Sequence, residues 1–167
     1  KTIFSILRSI YMIFKGEYNS SKDLLTSIEN NNFDLFTVPE FRLFHARAIL
    51  LDHLINNKST GAELKKSHFY FRDLKLNTYS YTHFCTISEL YFGLLNNKNE
   101  FKVVDIEIKL KSSFDNILKK SKGDFFTKFW LFYDSYIYAT AMEKLNNKPE
   151  AIKGYKASIK ANPHTDL

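Results

Sequence analysis

The sequence has little of what breaks a chain: its 167 residues include only 5 Gly and 3 Pro. So few punctuating residues exclude a many-turned all-β protein, a collagen and a flexible linker. Cysteine occurs once, as Cys85, so no internal disulfide can form, and a lone thiol suits the reducing cytoplasm, where the chain is expected to reside. Its setting in Thr82-His83-Phe84-Cys85-Thr86 reads as a buried, inert thiol rather than a nucleophile. Arginine is confined to Arg8, Arg42, Arg47 and Arg72, and no run of like charge exceeds two residues. A net charge of +6 in this form lacks the polybasic tail and the bidentate donors that nucleic-acid readout favours. A Lys-coated, solvated helical surface is the reading preferred over nucleic-acid binding.

Long hydrophobic runs are also scarce. Ile3 to Phe14 is too short to cross a bilayer and carries Arg8 in its middle. Phe125 to Met142 is long enough but contains Lys128 and Asp134, which lipid would penalise. Membrane insertion is therefore not expected. Motifs of catalysis are missing as well. His45, His53, His68, His83 and His164 are scattered, without His-Glu-x-x-His or a cysteine partner for zinc. His45 and His53 lie eight residues apart, so on one helix they are separated by about 12 Å, too far to share a metal. No Gly-rich phosphate loop and no nucleophile elbow occur, so no enzyme, metal or cofactor is indicated.

What the chain does contain is 44% hydrophobic residues, including 16 Phe, 10 Tyr and 1 Trp. That composition excludes global disorder, and a chain of this size buries about 70% of its unfolded surface. The apolar residues recur at helical spacing. Ile6, Leu7, Ile10, Ile13 and Phe14 define one stripe, closed by Gly16. Ser20-Ser21-Lys22-Asp23 offers a capped start for a helix carrying Leu24, Leu25 and Ile28, and Asn30-Asn31-Asn32 reads as a turn. Pro39 suits the first turn of a helix with Leu43, Ala46, Ile49, Leu50 and Leu54 on its stripe.

An internal echo organises these helices. Leu54-Ile55-Asn56-Asn57-Lys58, Leu95-Asn96-Asn97-Lys98 and Leu145-Asn146-Asn147-Lys148 each close a stripe with Asn-Asn-Lys. Asparagine tolerates the left-handed conformation at a helix C-terminus, and lysine complements its negative end. A second amphipathic segment follows each time, over Ala62–Leu74, Glu100–Leu118 and Glu150–Ala161. With Lys15-Gly16 as an earlier version, the turns fall near positions 16, 57, 97 and 147, in steps of 41, 40 and 50. The expectation is an all-α chain, a right-handed α-solenoid of about four stacked hairpins over residues 2–31, 39–75, 78–120 and 124–162, forming a single repeat domain. One stretch competes. Val104 to Lys111 alternates apolar and charged residues like a strand, but Val103, Ile106, Leu110, Phe114 and Ile117 keep the helical rhythm and no Gly or Pro bounds the run.

The last stretch resembles a tetratricopeptide repeat over residues 132–165. Ala151-Ile152-x-x-Tyr155-x-x-Ser158-Ile159-x-x-Asn162-Pro163 matches the second helix and exit turn of that family. Ala139 and Met142 fall at its small and large apolar positions in the first helix, whereas Ser135 stands where the family prefers a bulky aromatic. Earlier hairpins are similar only in architecture, with Glu89 or Ile49 at the small-residue position, and resemble the divergent arrays of bacterial peptide-sensing regulators.

The resemblance implies a concave groove that binds a protein or peptide segment without catalysis. In the last repeat it places Tyr133, Tyr136 and Thr140 on that groove. The Asn-Asn-Lys register adds His83 and Thr86 from the preceding hairpin, and Ala46, Leu50 and His53 from the one before. The competing account for such a stripe is ordinary core packing. A peptide-carboxylate clamp, which needs paired cationic and Asn positions, is not found in register. A sensor domain of a peptide-responsive bacterial regulator and a Lys-rich nucleic-acid binder are the alternative readings. A repeat array beginning at Lys1 reads as part of something longer, and an uncapped last repeat favours a homo-oligomer or continuation past Leu167.

Overall fold

A computed structural model describes residues 2–31, 34, 37–77, 82–96, 100–120 and 125–162. Among them there is helix and no strand. The helices are α1 (Thr2–Phe14), α2 (Tyr18–Asn31), α3 (Pro39–Leu51), α4 (Gly61–Asn77), α5 (Thr82–Asn96), α6 (Glu100–Lys120), α7 (Phe125–Lys144) and α8 (Lys148–Lys160). The alternating stretch Val104 to Lys111 lies inside α6, so the longer helical rhythm outweighs the local alternation. The chain divides into two compact units, Lys1–Tyr79 and Ser80–Leu167.

In the first unit α1 packs on α2, α3 on α4, and α3 also lies against α2 and α1. The turn at Gly16 explains why α1 ends where it does. Gly16 has φ +78, Gly16 N–H donates to the Ile13 carbonyl (3.1 Å) and Glu17 N–H to the Met12 carbonyl (2.9 Å). These two bonds satisfy orphan carbonyls of the last turn. The chain then enters α2 directly, with Ser21 N–H on the Glu17 carbonyl at 3.0 Å. The helix thus starts before the Ser-Ser pair expected to cap it. Ser21 is instead a buried side chain whose hydroxyl donates to the Ser9 carbonyl of α1 at 2.9 Å. Asn30 and Asn31 belong to the last turn of α2, where Asn31 Nδ2 donates to the Ser27 carbonyl (2.7 Å).

Helix α3 begins on Pro39, as its fixed φ favours. It is the central helix of the unit: Leu43, Ala46, Ala48, Ile49, Leu50 and Leu51 are all buried. It continues into a π-helical turn, Asp52–Asn56, that ends on Asn57 in the left-handed conformation, φ 53. The wider turn takes up one residue beyond the α-helical count. This is why the left-handed residue is the second Asn here, whereas at the Asn146-Asn147 turn it is the first, with φ 57.

In the second unit α5 packs on α6 and α7, α6 on α7, and α7 on α8. Helix α7 is nearly enclosed: Phe129, Trp130, Tyr133, Ile137, Tyr138, Ala139, Ala141 and Met142 are buried. The α7–α8 crossing is close because its residues are small. Ala139, Ala151, Gly154 and Ser158 are buried, and a Cβ on Gly154 would lie 2.9 Å from Ala139 Cβ and 3.0 Å from the Ser135 carbonyl oxygen. The Ser158 hydroxyl donates to the Phe132 carbonyl (3.0 Å) across the same seam. The turn between these helices repeats the geometry at Gly16. Asn146 N–H donates to the Glu143 carbonyl (3.0 Å), and Asn147 N–H to the Met142 carbonyl (2.9 Å). Asn147 then caps α8 by accepting from Glu150 N–H (3.3 Å). The expected turn at Asn97 lies outside the described residues.

Candidate functional site

The expected groove positions separate into three groups. Ala46, Leu50 and Tyr133 are fully buried, so they are core residues and are not available to a partner. They lie on enclosed faces, because α3 and α7 are packed on several sides. His53, in the π-helical turn, and Thr86, on α5, are half-buried. His83 belongs to α5, and its side chain lies outside the described residues. Tyr136 and Thr140 are half-buried on α7.

Among the described side chains of α7, Phe132, Tyr136, Thr140 and Glu143 are partly open and, at intervals of four and three, form a longitudinal strip. The Thr140 hydroxyl donates back to the Tyr136 carbonyl (3.0 Å). From α8, Tyr155 sets its ring edgewise to Tyr136, with centroids 6.0 Å apart, and donates from its hydroxyl to Glu143 Oε2 (2.8 Å). Beneath them, Tyr91 of α5 is buried. Burial, followed by the Tyr136 and Tyr155 hydroxyls nearby, pushes its phenol up to about 12. Three tyrosines from three helices thus converge on one place, with a carboxylate and a threonine hydroxyl at its rim. Tyr155 and Glu143 were missed as site residues; their spacing across the Asn146 turn was the available signal.

A second polar constellation, in the first unit, escaped the sequence reading altogether. Lys22 on α2 is buried and its ammonium lies 2.9 Å from Asp52 Oδ2 and 3.3 Å from Glu63 Oε1. Asp52 opens the π-helical turn and is itself buried. It also accepts from Asn56 Nδ2 (3.0 Å), and the Ser59 hydroxyl, which donates to the Ile49 carbonyl (2.8 Å), lies 3.2 Å from it. Glu63 is held by a capping box at the start of α4: Thr60 N–H donates to Glu63 Oε2 (2.6 Å), and Glu63 N–H to Thr60 Oγ1 (3.2 Å). Burial alone would lower the Lys22 pKa, but hydrogen bonds to Asp52 and Glu63 reverse that and hold it above its ordinary value. Burial likewise opposes ionisation of Asp52, yet Asn56, Lys22 and Ser59 bring its carboxyl below the ordinary range.

Two turns along α2, Glu29 accepts from Lys66 and from the Tyr70 hydroxyl, both on α4. It also lies 3.5 Å from His45 Nδ1 on α3, whose Nε2 is 3.1 Å from Thr26 Oγ1. Burial, with Lys66 nearby, lowers the His45 pKa to about 4 despite Glu29, so the ring is neutral at pH 7. These contacts tie α2, α3 and α4 together. Among the described residues no group of His, Cys, Asp and Glu is placed to hold a metal ion, and no helix is long and apolar enough to cross a membrane. Cys85 is buried.

Comparison with protein-family models, with curated proteins and with solved structures returns no match.

Proposed function

We propose that the chain is a non-catalytic, tetratricopeptide-like helical module that binds a protein or peptide segment. The observation that carries this reading is the open strip of α7, where Tyr136 and Thr140 stand beside Tyr155 and Glu143. Tyrosine rings offer large contact area at little entropic cost, and half-buried hydroxyls pair with an extended backbone or a polar side chain. The small residues Ala139, Ala151 and Ser158, at positions where the repeat family has small ones, support the same reading. So does the repeated left-handed turn at Gly16, Asn57 and Asn146.

The test is selection of peptides from a random display library against the immobilised chain, followed by direct titration. Selected peptides should lose affinity about tenfold or more on Tyr136→Ala or Thr140→Arg, as truncation of a central anchor does, with the chain still cooperatively folded. Peptides that bind both variants as tightly as the wild type, or a library that yields no binder, would sink the proposal.

A further inference from the structure

Where α7 and α8 meet at Tyr136, Thr140, Glu143 and Tyr155, every polar side-chain atom is an oxygen. The hydrogens these groups carry are largely spent. Thr140 gives its hydroxyl hydrogen to the Tyr136 carbonyl (3.0 Å), and Tyr155 gives its own to Glu143 Oε2 (2.8 Å). What both hydroxyls have left is lone pairs. Among the described residues Glu143 Oε1 and the Tyr136 hydroxyl make no hydrogen bond. The place is therefore rich in acceptors and carries one negative charge.

That charge has no counterpart in a chain that is otherwise rich in cations, with 24 Lys+Arg and a net charge of +6. Three other carboxylates of the same unit each have a lysine: Glu107 has Lys111 at 2.6 Å, while Asp115 and Glu150 share Lys153 at 2.8 and 3.4 Å. Among the described residues no cation forms an ion pair with Glu143. The sequence explains the difference. Side chains pair along a helix at spacings of three and four. At those spacings from Glu143 stand Ala139, Thr140, Asn146 and Asn147; from Tyr155, on α8, they are Ala151, Ile152, Ser158 and Ile159. None of them is charged.

A carboxylate without a cation of its own, lone pairs from two hydroxyls and two partly open tyrosine rings suit a primary ammonium on an apolar stem. Lysine supplies three N–H donors, a positive charge that the face of a tyrosine ring attracts, and methylenes that cover apolar surface. Arginine suits the place less well. Its planar fork engages both oxygens of a carboxylate, and Glu143 Oε2 already accepts from Tyr155. We infer that the partner segment presents a lysine here, with its ammonium on Glu143 and its stem along Tyr136 and Tyr155. This rests on the reading of the α7 strip as a binding surface and specifies what that surface selects.

The probes are the peptides selected from the random display library against the immobilised 167-residue chain. Those whose affinity depends on Tyr136 should share a lysine at one position. Changing that lysine to methionine in the peptide should weaken binding about tenfold or more, as loss of a charge-assisted hydrogen bond does. Glu143→Gln in the chain should weaken the lysine peptide by a similar factor. Glutamine keeps an acceptor for the Tyr155 hydroxyl, so the variant loses the charge and keeps its contact with α8. The two changes together should cost little more than either alone, because they remove the same contact. Peptides that depend on Tyr136 but share no lysine, that share an arginine instead, or that bind Glu143→Gln as tightly as the wild type would overturn the inference and leave the binding strip standing. A library with no Tyr136-dependent binder would remove both.

Discussion

The ammonium of Lys22 and the carboxylate of Asp52 meet at 2.9 Å with both side chains out of solvent. Neither residue belongs to an apolar stripe, yet together they fasten α2 to the π-helical turn after α3. Removing one partner of a buried pair strands the other. Lys22→Met is therefore expected to destabilise the first unit by ~3–5 kcal/mol, while Lys22→Met with Asp52→Leu should recover much of that loss. Urea unfolding of the wild type, both single variants and the double variant measures the coupling. Additive losses would mean that the pair does not act as one.

His45 makes the stability of the same unit depend on pH. Its ring is neutral when folded and takes up a proton only near pH 4, whereas an unfolded histidine does so near pH 6.5. Between those values the unfolded chain binds more protons, so stability falls as pH falls from about 6.5 towards 4. The predicted loss across this window is ~3 kcal/mol, the free energy of holding the folded ring neutral down to about 4. Asp52 and Glu63, whose carboxyl pKa values are held below the ordinary range, extend the loss to lower pH. His45→Gln should flatten the dependence between pH 6.5 and 4 and leave the acid limb in place. Denaturant midpoints at half-unit steps give the comparison.

A glycine in a helix is usually improved by alanine, by up to ~1 kcal/mol. Gly154 should behave oppositely. A methyl there would stand 2.9 Å from Ala139 Cβ and from a Tyr138 ring carbon, and 3.0 Å from the Ser135 carbonyl oxygen. Separation of α7 from α8 is the only relief, and overpacking of this kind costs ~1–3 kcal/mol. Gly154→Ala should therefore lower the melting temperature of the second unit, and a rise would show that the seam yields easily.

The left-handed turns allow a prediction of opposite signs at one site. Asn146 has φ 57, a conformation that costs a residue with a Cβ ~1–2 kcal/mol and glycine nothing. Asn146→Gly should leave stability level or slightly raised, while Asn146→Val should cost the most, since a branched side chain is the least tolerant there. Thermal melts rank the three.

Tyr133 and Tyr136 lie three residues apart and are expected to part company. Tyr133 is fully buried, edge-on to Phe129 and Phe132 at 4.7 and 4.8 Å. Tyr133→Ala should cost ~3–5 kcal/mol, in the range for a large aromatic lost from a core. Tyr136→Ala removes a half-buried ring and should cost clearly less. Equal losses in thermal melts would place Tyr136 in the core and remove it from the proposed binding strip.

The sequence by itself determined that the chain is helical and where its helices turn. Few Gly and Pro leave long unbroken segments, apolar residues keep a period near 3.6, and Gly16, Asn57 and Asn146 are residue types that enter the left-handed region at little cost. These are local properties, set by a residue and its near neighbours. The start of α2 was misplaced for a related reason: a Ser-Ser-Lys-Asp run is a good cap in isolation, but the turn at Gly16 had already begun the helix. Only tertiary structure decided which faces are covered. Periodicity marks an apolar stripe without saying how many neighbours surround the helix, so Ala46, Leu50 and Tyr133 looked like groove residues until α3 and α7 proved to be enclosed. The same limit hid Lys22, Glu29, His45 and Asp52. Polar residues carry no periodic signal of burial, and they are buried here because each supplies the partner that another requires.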